Sequence, residues 1–137
     1  MADTIRAVDY WYAEVLDKPG EGARILAALK QDQVNMLAFS GFPIAKGKAQ
    51  IDFVPEDGEA FRKTAARLGL ELSDRKRAFL VQGEDRVGAV ADHIERLATE
   101  RIGVVSSQGL CAGNGRWAMI LWVKASDYQR AGKVLGI

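Results

Sequence analysis

The sequence predicts a mixed α/β fold built from two copies of one strand-and-helix unit. Two Asp-x-x-Gly turns carry this prediction: turn one, residues 17–20, and turn two, residues 85–88, lie 68 positions apart. Each turn follows an apolar run and opens a pattern of apolar residues at helical spacing. The same offset relates Ala23 to Ala91, Leu26 to Ile94 and Leu29 to Leu97. A register that holds over a whole helix indicates an internal repeat.

The first copy reads as β-α-β-β-α-β. Residues 10–16 are rich in aromatic and β-branched side chains and end at a Pro-Gly pair, which predicts a strand followed by a turn. Pro19 and Gly20 suit a helix start. The first N–H groups of a helix have no partner within it, so the missing N–H of proline costs nothing there, and glycine permits a tight backbone. The remaining predicted elements are a helix over 21–33, strands over 34–42 and 49–54, a helix over 55–68 and a short strand over 70–72.

The second copy reads as β-α-β-β-α, without a closing strand. An Asn-Gly pair at 114–115 predicts a hairpin turn, because both residues tolerate the positive φ that tight hairpins need. Around it the sequence predicts strands over 79–82, 104–111 and 117–123, with helices over 88–101 and 126–135. We therefore expect two repeats, residues 1–74 and residues 75–137.

Composition and charge exclude several classes of protein. The 19 basic and 18 acidic residues give a formal net charge of +1, so no global field gathers nucleic acid or an acidic membrane. No apolar run approaches the roughly 18 residues needed to cross a bilayer, and the first residues do not resemble a secretory signal. One cysteine, Cys111, excludes an internal disulfide and favours a reducing compartment. We expect a cytoplasmic protein.

Catalytic, metal and phosphate motifs are absent from the sequence. His93 is the only histidine, and it falls inside a predicted helix where a packed or surface role is the simpler interpretation. No serine has the Gly-x-Ser-x-Gly surroundings of a hydrolase nucleophile, and no spacing of histidine, cysteine and carboxylates suggests a metal. We expect no cofactor, no metal and no catalytic residue.

The RNA-recognition motif shares the βαββαβ order and is a competing interpretation. Residues 46–53 match the frame of its signature third strand. Lys48 and Gln50, however, stand where the base-stacking aromatic residues belong. Without those rings and without excess positive charge, we expect no nucleic acid partner.

Residues 16–26, followed by Val34, Asn35 and Met36, resemble the opening of an ACT domain. That motif has a hydrophobic strand, an Asp-Arg/Lys-Pro-Gly turn, a helix, and an asparagine with aliphatic neighbours at the next strand. The second copy resembles it less closely, since Val87 replaces the proline and Gly103 replaces the asparagine. The resemblance covers residues 10–137. The layout of the chain is similar to that of the stand-alone tandem ACT proteins of bacteria.

The resemblance implies an α+β sandwich of two ferredoxin-like βαββαβ ACT repeats, the second lacking its last strand. It also implies a non-catalytic regulatory module that binds a free amino acid at an interface between ACT units. The resemblance further implies that the protein forms a homodimer and acts on a partner enzyme or regulator. The alternatives are a protein–protein assembly module without a small ligand and a small enzyme on the same fold.

The residues of the two turns suit an amino-acid ligand. Gly20 and Gly88 allow close approach to the backbone, and the N–H groups at a helix start suit a carboxylate. Asp17 and Asp85 could pair with an ammonium group, although an Asp before a helix is also a common cap. The expected ligand-binding residues are Leu16, Asp17, Lys18, Pro19, Gly20, Glu21, Gly22, Asn35, Met36, Asp85, Arg86, Val87 and Gly88.

Overall fold

A computed structural model describes residues 3–137 of the chain, which divide into two compact units. The first unit is Asp9–Lys76, and the second unit joins the N-terminal residues up to Val8 to Arg77–Ile137. The repeat boundary expected from the sequence, between residues 74 and 75, stays a prediction. The second unit differs from that expectation in including the N-terminal residues.

Within residues 3–137, six strands are interspersed with four helices, which makes the fold mixed α+β. The strands are β1 (Thr4–Leu16), β2 (Met36–Ala45), β3 (Lys48–Pro55), β4 (Lys76–Glu84), β5 (Val104–Gly113) and β6 (Arg116–Val123). The helices are α1 (Glu21–Gln31), α2 (Gly58–Arg67), α3 (Ala89–Thr99) and α4 (Tyr128–Leu135), and a short 3-10 turn over Ala125–Asp127 precedes α4.

The first unit orders its strands β2-β3-β1, with antiparallel pairing on both sides of β3. Helices α1 and α2 bury apolar side chains on one face of this sheet. Phe53 and Phe61 are fully buried there with ring centroids 5.0 Å apart, and Trp11 lies 5.5 Å from Phe61. This aromatic core, with Ile25 and Leu29 from α1, fixes the position of turn one at the end of β1.

The second unit orders its strands β1-β4-β6-β5, with residues 4–8 of β1 beside β4. Ile5 packs against the core formed by Phe79, Leu97, Leu121 and neighbouring residues. The position next to β4 is where a ferredoxin-like unit places its closing strand. Within residues 3–137 no strand follows α4, and residues 4–8 lie in that position beside β4.

The strand expected over 70–72 is not formed, which corrects the predicted layout of the first copy. The N–H of Leu70 donates to the carbonyl of Ala65 at 2.9 Å and closes α2, with Gly69 in the left-handed region at φ 69°. This segment therefore terminates the helix instead of pairing in the sheet. Leu70 and Leu72 pack their side chains against the aromatic core.

Candidate functional site

Turn one and turn two have the same backbone geometry. The N–H of Asp17 donates to the carbonyl of Gly47 at 3.0 Å, and the N–H of Asp85 donates to the carbonyl of Gly115 at 2.8 Å. Each acceptor lies in the hairpin of the same unit as its donor, and the two acceptors are also 68 positions apart. The offset of 68 positions read from the sequence thus also relates these two hydrogen bonds.

Gly20 and Gly88 are the N-cap residues of α1 and α3, with φ values of 93° and 85°. Neither helix has a side-chain cap, so Asp17 and Asp85 do not serve as the caps that such residues often provide. A left-handed backbone favours glycine, since a Cβ there costs roughly 1–2 kcal/mol. The glycines are explained by backbone conformation, and neither aspartate is used as a helix cap.

A surface cavity of about 270 Å³ lies at turn one and is called the turn-one cavity. Its wall is the helix-side face of the first unit's sheet, and its rim is turn one with the start of α1. Its lining residues are Val15, Leu16, Asp17, Lys18, Glu21, Gly22, Phe39, Gly41, Phe42, Pro43, Ala49 and Ile51.

A second surface cavity, of about 250 Å³, lies at turn two in the second unit and is called the turn-two cavity. Many of its lining residues correspond to those of the turn-one cavity at the offset of 68. The side chains differ in size: Gly22 and Ala49 correspond to Val90 and Trp117. The lining residues are Asp85, Arg86, Gly88, Ala89, Val90, Ala91, Gly109, Leu110, Cys111 and Trp117.

Two of the charged side chains at turn one have no side-chain partner within residues 3–137. Among residues 3–137, Asp17 and Lys18 have no side-chain hydrogen bond or ion pair, while Glu21 pairs with Arg24 at 2.6 Å. The N–H of Glu21 donates to the carbonyl of Lys18 at 3.3 Å, so the first free helix amides are those of Gly22 and the residue after it. Turn one therefore offers a carboxylate, an ammonium group and free amides within one short segment.

The charged groups at turn two are already engaged within the second unit. Arg86 holds both carboxylate oxygens of Asp3, at 3.0 and 3.1 Å, and also Asp92 at 3.0 Å. Asp3 further accepts hydrogen bonds from Trp117 Nε1 at 3.2 Å and from His93 Nε2 at 2.7 Å. The Asp3 side chain at the centre of this cluster is 2% exposed, whereas Arg86 and Asp92 at its edge are 36% and 59% exposed.

Asp85 also has an internal partner. The thiol of Cys111 donates to its Oδ2 at 3.1 Å. This hydrogen bond, together with the negative charge of Asp85, raises the pKa of Cys111 above its usual value. Turn two thus presents a neutral thiol beside Asp85, whereas turn one has Pro43 at the corresponding place.

Asn35 and Met36 lie away from turn one. Met36 pairs with Pro55 at one end of β3, while Leu16, next to turn one, pairs with Lys48 at the other end. The two ends are roughly 23 Å apart at about 3.3 Å per residue. The Asn35 amide donates to Glu56 at 2.9 Å. Within the first unit, these two residues do not join the other expected ligand-binding residues.

Among the remaining expected residues, Leu16 is 58% exposed at the mouth of the turn-one cavity, and Val87 is fully exposed at turn two. Pro19 is exposed in the turn and does not line the cavity. The residues of the sheet wall, Phe39 and Gly41 among them, were not expected from the sequence. The offset of 68 also relates Gly41 to Gly109 and would have marked both cavity floors.

Two classes of feature are not found in the part of the chain that the structure describes. Residues 3–137 contain no group of three or more histidine, cysteine or acidic side chains that could hold a metal ion. No helix among them is long and apolar enough to span a bilayer.

No protein-family model matches the chain, and no curated protein matches it. Several solved structures do match the chain. A protein from Bacteroides thetaiotaomicron superposes with a TM-score of 0.81 at 13% identity, covering 96% of this chain and 88% of that one. The ligand-free regulatory subunit of aspartate kinase from Thermus thermophilus gives 0.67 at 13% identity, covering 97% and 93%. The regulatory subunit from Thermus flavus gives 0.61 at 17% identity, covering 98% and 95%.

These likenesses extend over nearly the whole chain, and they confirm at the level of fold the resemblance drawn from residues 16–36. The two Thermus structures are regulatory subunits of aspartate kinase. The chain has the ACT-type fold of the regulatory subunits of aspartate kinase.

Proposed function

We propose that this protein is a non-catalytic regulatory module that binds a free amino acid at its β-α turns, with residues 1–74 and 75–137 as its ACT repeats. One observation carries the proposal. At turn one a cavity of about 270 Å³ adjoins uncommitted groups of both charges and free helix amides. That volume lies just below the range of about 300–1,000 Å³ for drug-sized ligands, which suits a single amino acid.

The chemistry of turn one matches the two ends of a zwitterion. The free amide of Gly22, with the positive end of α1 and the Lys18 ammonium, would receive the carboxylate. Asp17 would receive the ammonium group. Each of these groups has the opposite charge or dipole to its proposed partner, so no charge at the site is left uncompensated.

Regulation follows if the ligand binds one arrangement of the protein more tightly than another, because it then shifts the population toward that arrangement. We propose a homodimer in which a second copy completes the site, and a separate partner enzyme or regulator that reads the change. The similar structures from Thermus are regulatory subunits of aspartate kinase, which supports this role. A cytoplasmic location accords with the single exposed free thiol of Cys111.

The test is a thermal-shift screen of the full chain against the twenty amino acids. A ligand at 100 times its Kd stabilises the protein by about 2.7 kcal/mol, which raises Tm by several degrees. Asp17→Ala should abolish the shift, whereas Asp74→Ala, which changes an exposed aspartate away from the cavity, should not. If none of the twenty amino acids raises Tm, the proposal is wrong.

An assembly module without a small ligand remains the second candidate, and the edge strands favour it. The ten residues of β2 and the ten residues of β5 include no charged side chain. Edge strands usually carry charges that block pairing with another chain. Sedimentation of Ile44→Lys and Val105→Lys tests this function: dissociation of a dimer by either variant, with no response to any amino acid, would support assembly alone.

A further inference from the structure

The wall of the turn-one cavity is one continuous apolar surface. Direct cross-strand pairs place Val15 opposite Ala49, Phe39 opposite Phe53 and Gly41 opposite Ile51. Directly paired residues share a face of the sheet, so all of these residues lie on the helix side. No ionisable side chain of β1, β2 or β3 lines the cavity, and its charged groups belong to turn one and the start of α1.

Phe39 forms a fixed side of this wall. Its ring meets the fully buried ring of Phe53 edge-on, with centroids 5.9 Å apart and planes at 70°. This contact holds one edge of Phe39, yet the residue remains 41% exposed. A held but incompletely covered aromatic ring beside a cavity gains free energy when an apolar group covers it.

Gly41 leaves the floor of the cavity open. A Cβ at this position would lie 3.9–4.0 Å from its nearest neighbours, so neither crowding nor a positive φ requires glycine here. At the corresponding position of turn two, a Cβ on Gly109 would lie only 3.2 Å from Val90. The space above Gly41 is therefore free, whereas the space above Gly109 is taken by a side chain.

The turn-one cavity thus has a charged end and an apolar end. A ligand whose head group contacts Asp17, Lys18 and the α1 amides would extend its side chain over Gly41 toward Phe39. A polar or charged side chain in that place would lose hydrogen bonds to water and find no partner on the wall. An apolar side chain would lose nothing and would cover the ring.

Resting on the proposed function, we infer that the turn-one ligand is an amino acid with an apolar side chain, and that Phe39 and Gly41 determine this specificity. The site belongs to the class that binds leucine, isoleucine, methionine or phenylalanine. It discriminates against lysine, aspartate, serine and glycine.

Isothermal titration of the full chain with these eight amino acids tests the inference. We expect at least one of the four apolar amino acids to bind at least tenfold more tightly than all four polar or small ones. Tighter binding of a polar amino acid would overturn the inference while leaving the proposed function intact. If none of the eight binds, the inference fails, and the proposed function fails with it only if none of the twenty amino acids raises Tm in the thermal-shift screen.

Two variants locate the specificity. Gly41→Val places a side chain on the open floor and should weaken binding of the apolar ligand at least tenfold. Phe39→Ala should weaken apolar ligands while leaving binding of glycine unchanged. Ile44→Phe is the matched control, because it adds bulk to the same strand outside the cavity. Comparison of the unliganded Tm values shows that each variant is folded. Full affinity in both cavity variants would contradict the inference.

Discussion

The Asp3 carboxylate and the His93 ring meet at 2.7 Å in the second unit, where their side chains are only 2% and 5% exposed. The other ring nitrogen of His93 lies 2.7 Å from the Arg96 guanidinium, which can only donate. His93 Nδ1 is therefore the acceptor, and Nε2 carries the proton that is donated to Asp3. The hydrogen bond between His93 Nε2 and Asp3 thus ties Asp3 to α3.

This contact predicts how acid affects stability. Burial raises the pKa of Asp3, but hydrogen bonds from Arg86, His93 and Trp117 outweigh burial and lower it from 3.8 to about 2. The folded state therefore favours ionised Asp3, which contributes about 2 kcal/mol above pH 4. The contribution disappears as the pH falls from about 4 to about 2. Urea unfolding of wild type and Asp3→Asn should differ at pH 6 and converge near pH 2; equal stability at pH 6 would contradict this role.

Lys18 and Arg86 occupy corresponding positions in the two turns. Substitution of Arg86 should lower the stability of the protein more than substitution of Lys18. Arg86→Met leaves nearly buried Asp3 without its main cationic partner and should lower the free energy of unfolding more than a surface substitution does. Lys18→Met should change it by less than about 0.5 kcal/mol, because Lys18 is exposed without an ion pair among residues 3–137. Chemical denaturation of both variants measures the difference. Equal losses would show that the two turns are equivalent.

Much of the fold was predictable because its signals are local. Turn one and turn two depend on glycines with positive φ, and the Asn-Gly hairpin forms as expected, with Asn114 at φ 54° and Gly115 at φ 69°. The placement of residues 4–8 was not predictable in this way. They lie beside β4, which begins some 70 positions later, and a short apolar segment does not specify its partner strand.

The site shows the same division between local and distant signals. The turn residues were identified from their own sequence, whereas Phe39 and Gly41 reach the cavity only through the pairing register of β2 with β3. Asn35 was expected among the ligand-binding residues because the family motif places an asparagine soon after the helix, and its role stays a prediction. Within the first unit, the β-α-β crossover starts β2 at the end of the sheet opposite to the end of β1, so Asn35 lies away from turn one.

Asp52 should be a source of instability in the first unit. It is 8% exposed, and burial raises its pKa despite a hydrogen bond from Gln50 at 2.9 Å. Because the folded state disfavours the ionised form, stability is lost as the pH rises above the unfolded value of 3.8. Asp52→Asn should therefore raise Tm at pH 7 and lose this advantage below pH 4. Glu14→Gln, on an exposed residue of the neighbouring strand, should change Tm little; if Asp52→Asn lowers Tm at pH 7, burial is not the governing effect.

The two cavities should differ in occupancy, and each chain should bind one ligand. At turn two, Arg86 is held by Asp3 and Asp92, and Asp85 accepts the Cys111 thiol, so a ligand there would have to displace existing partners. At turn one the corresponding Lys18 and Asp17 require no such exchange. Calorimetric titration should give one site per chain, abolished by Asp17→Ala and retained in Asp85→Ala. A stoichiometry of two, or loss of binding in Asp85→Ala with retention in Asp17→Ala, would place recognition at turn two and contradict the assignment made from these hydrogen bonds.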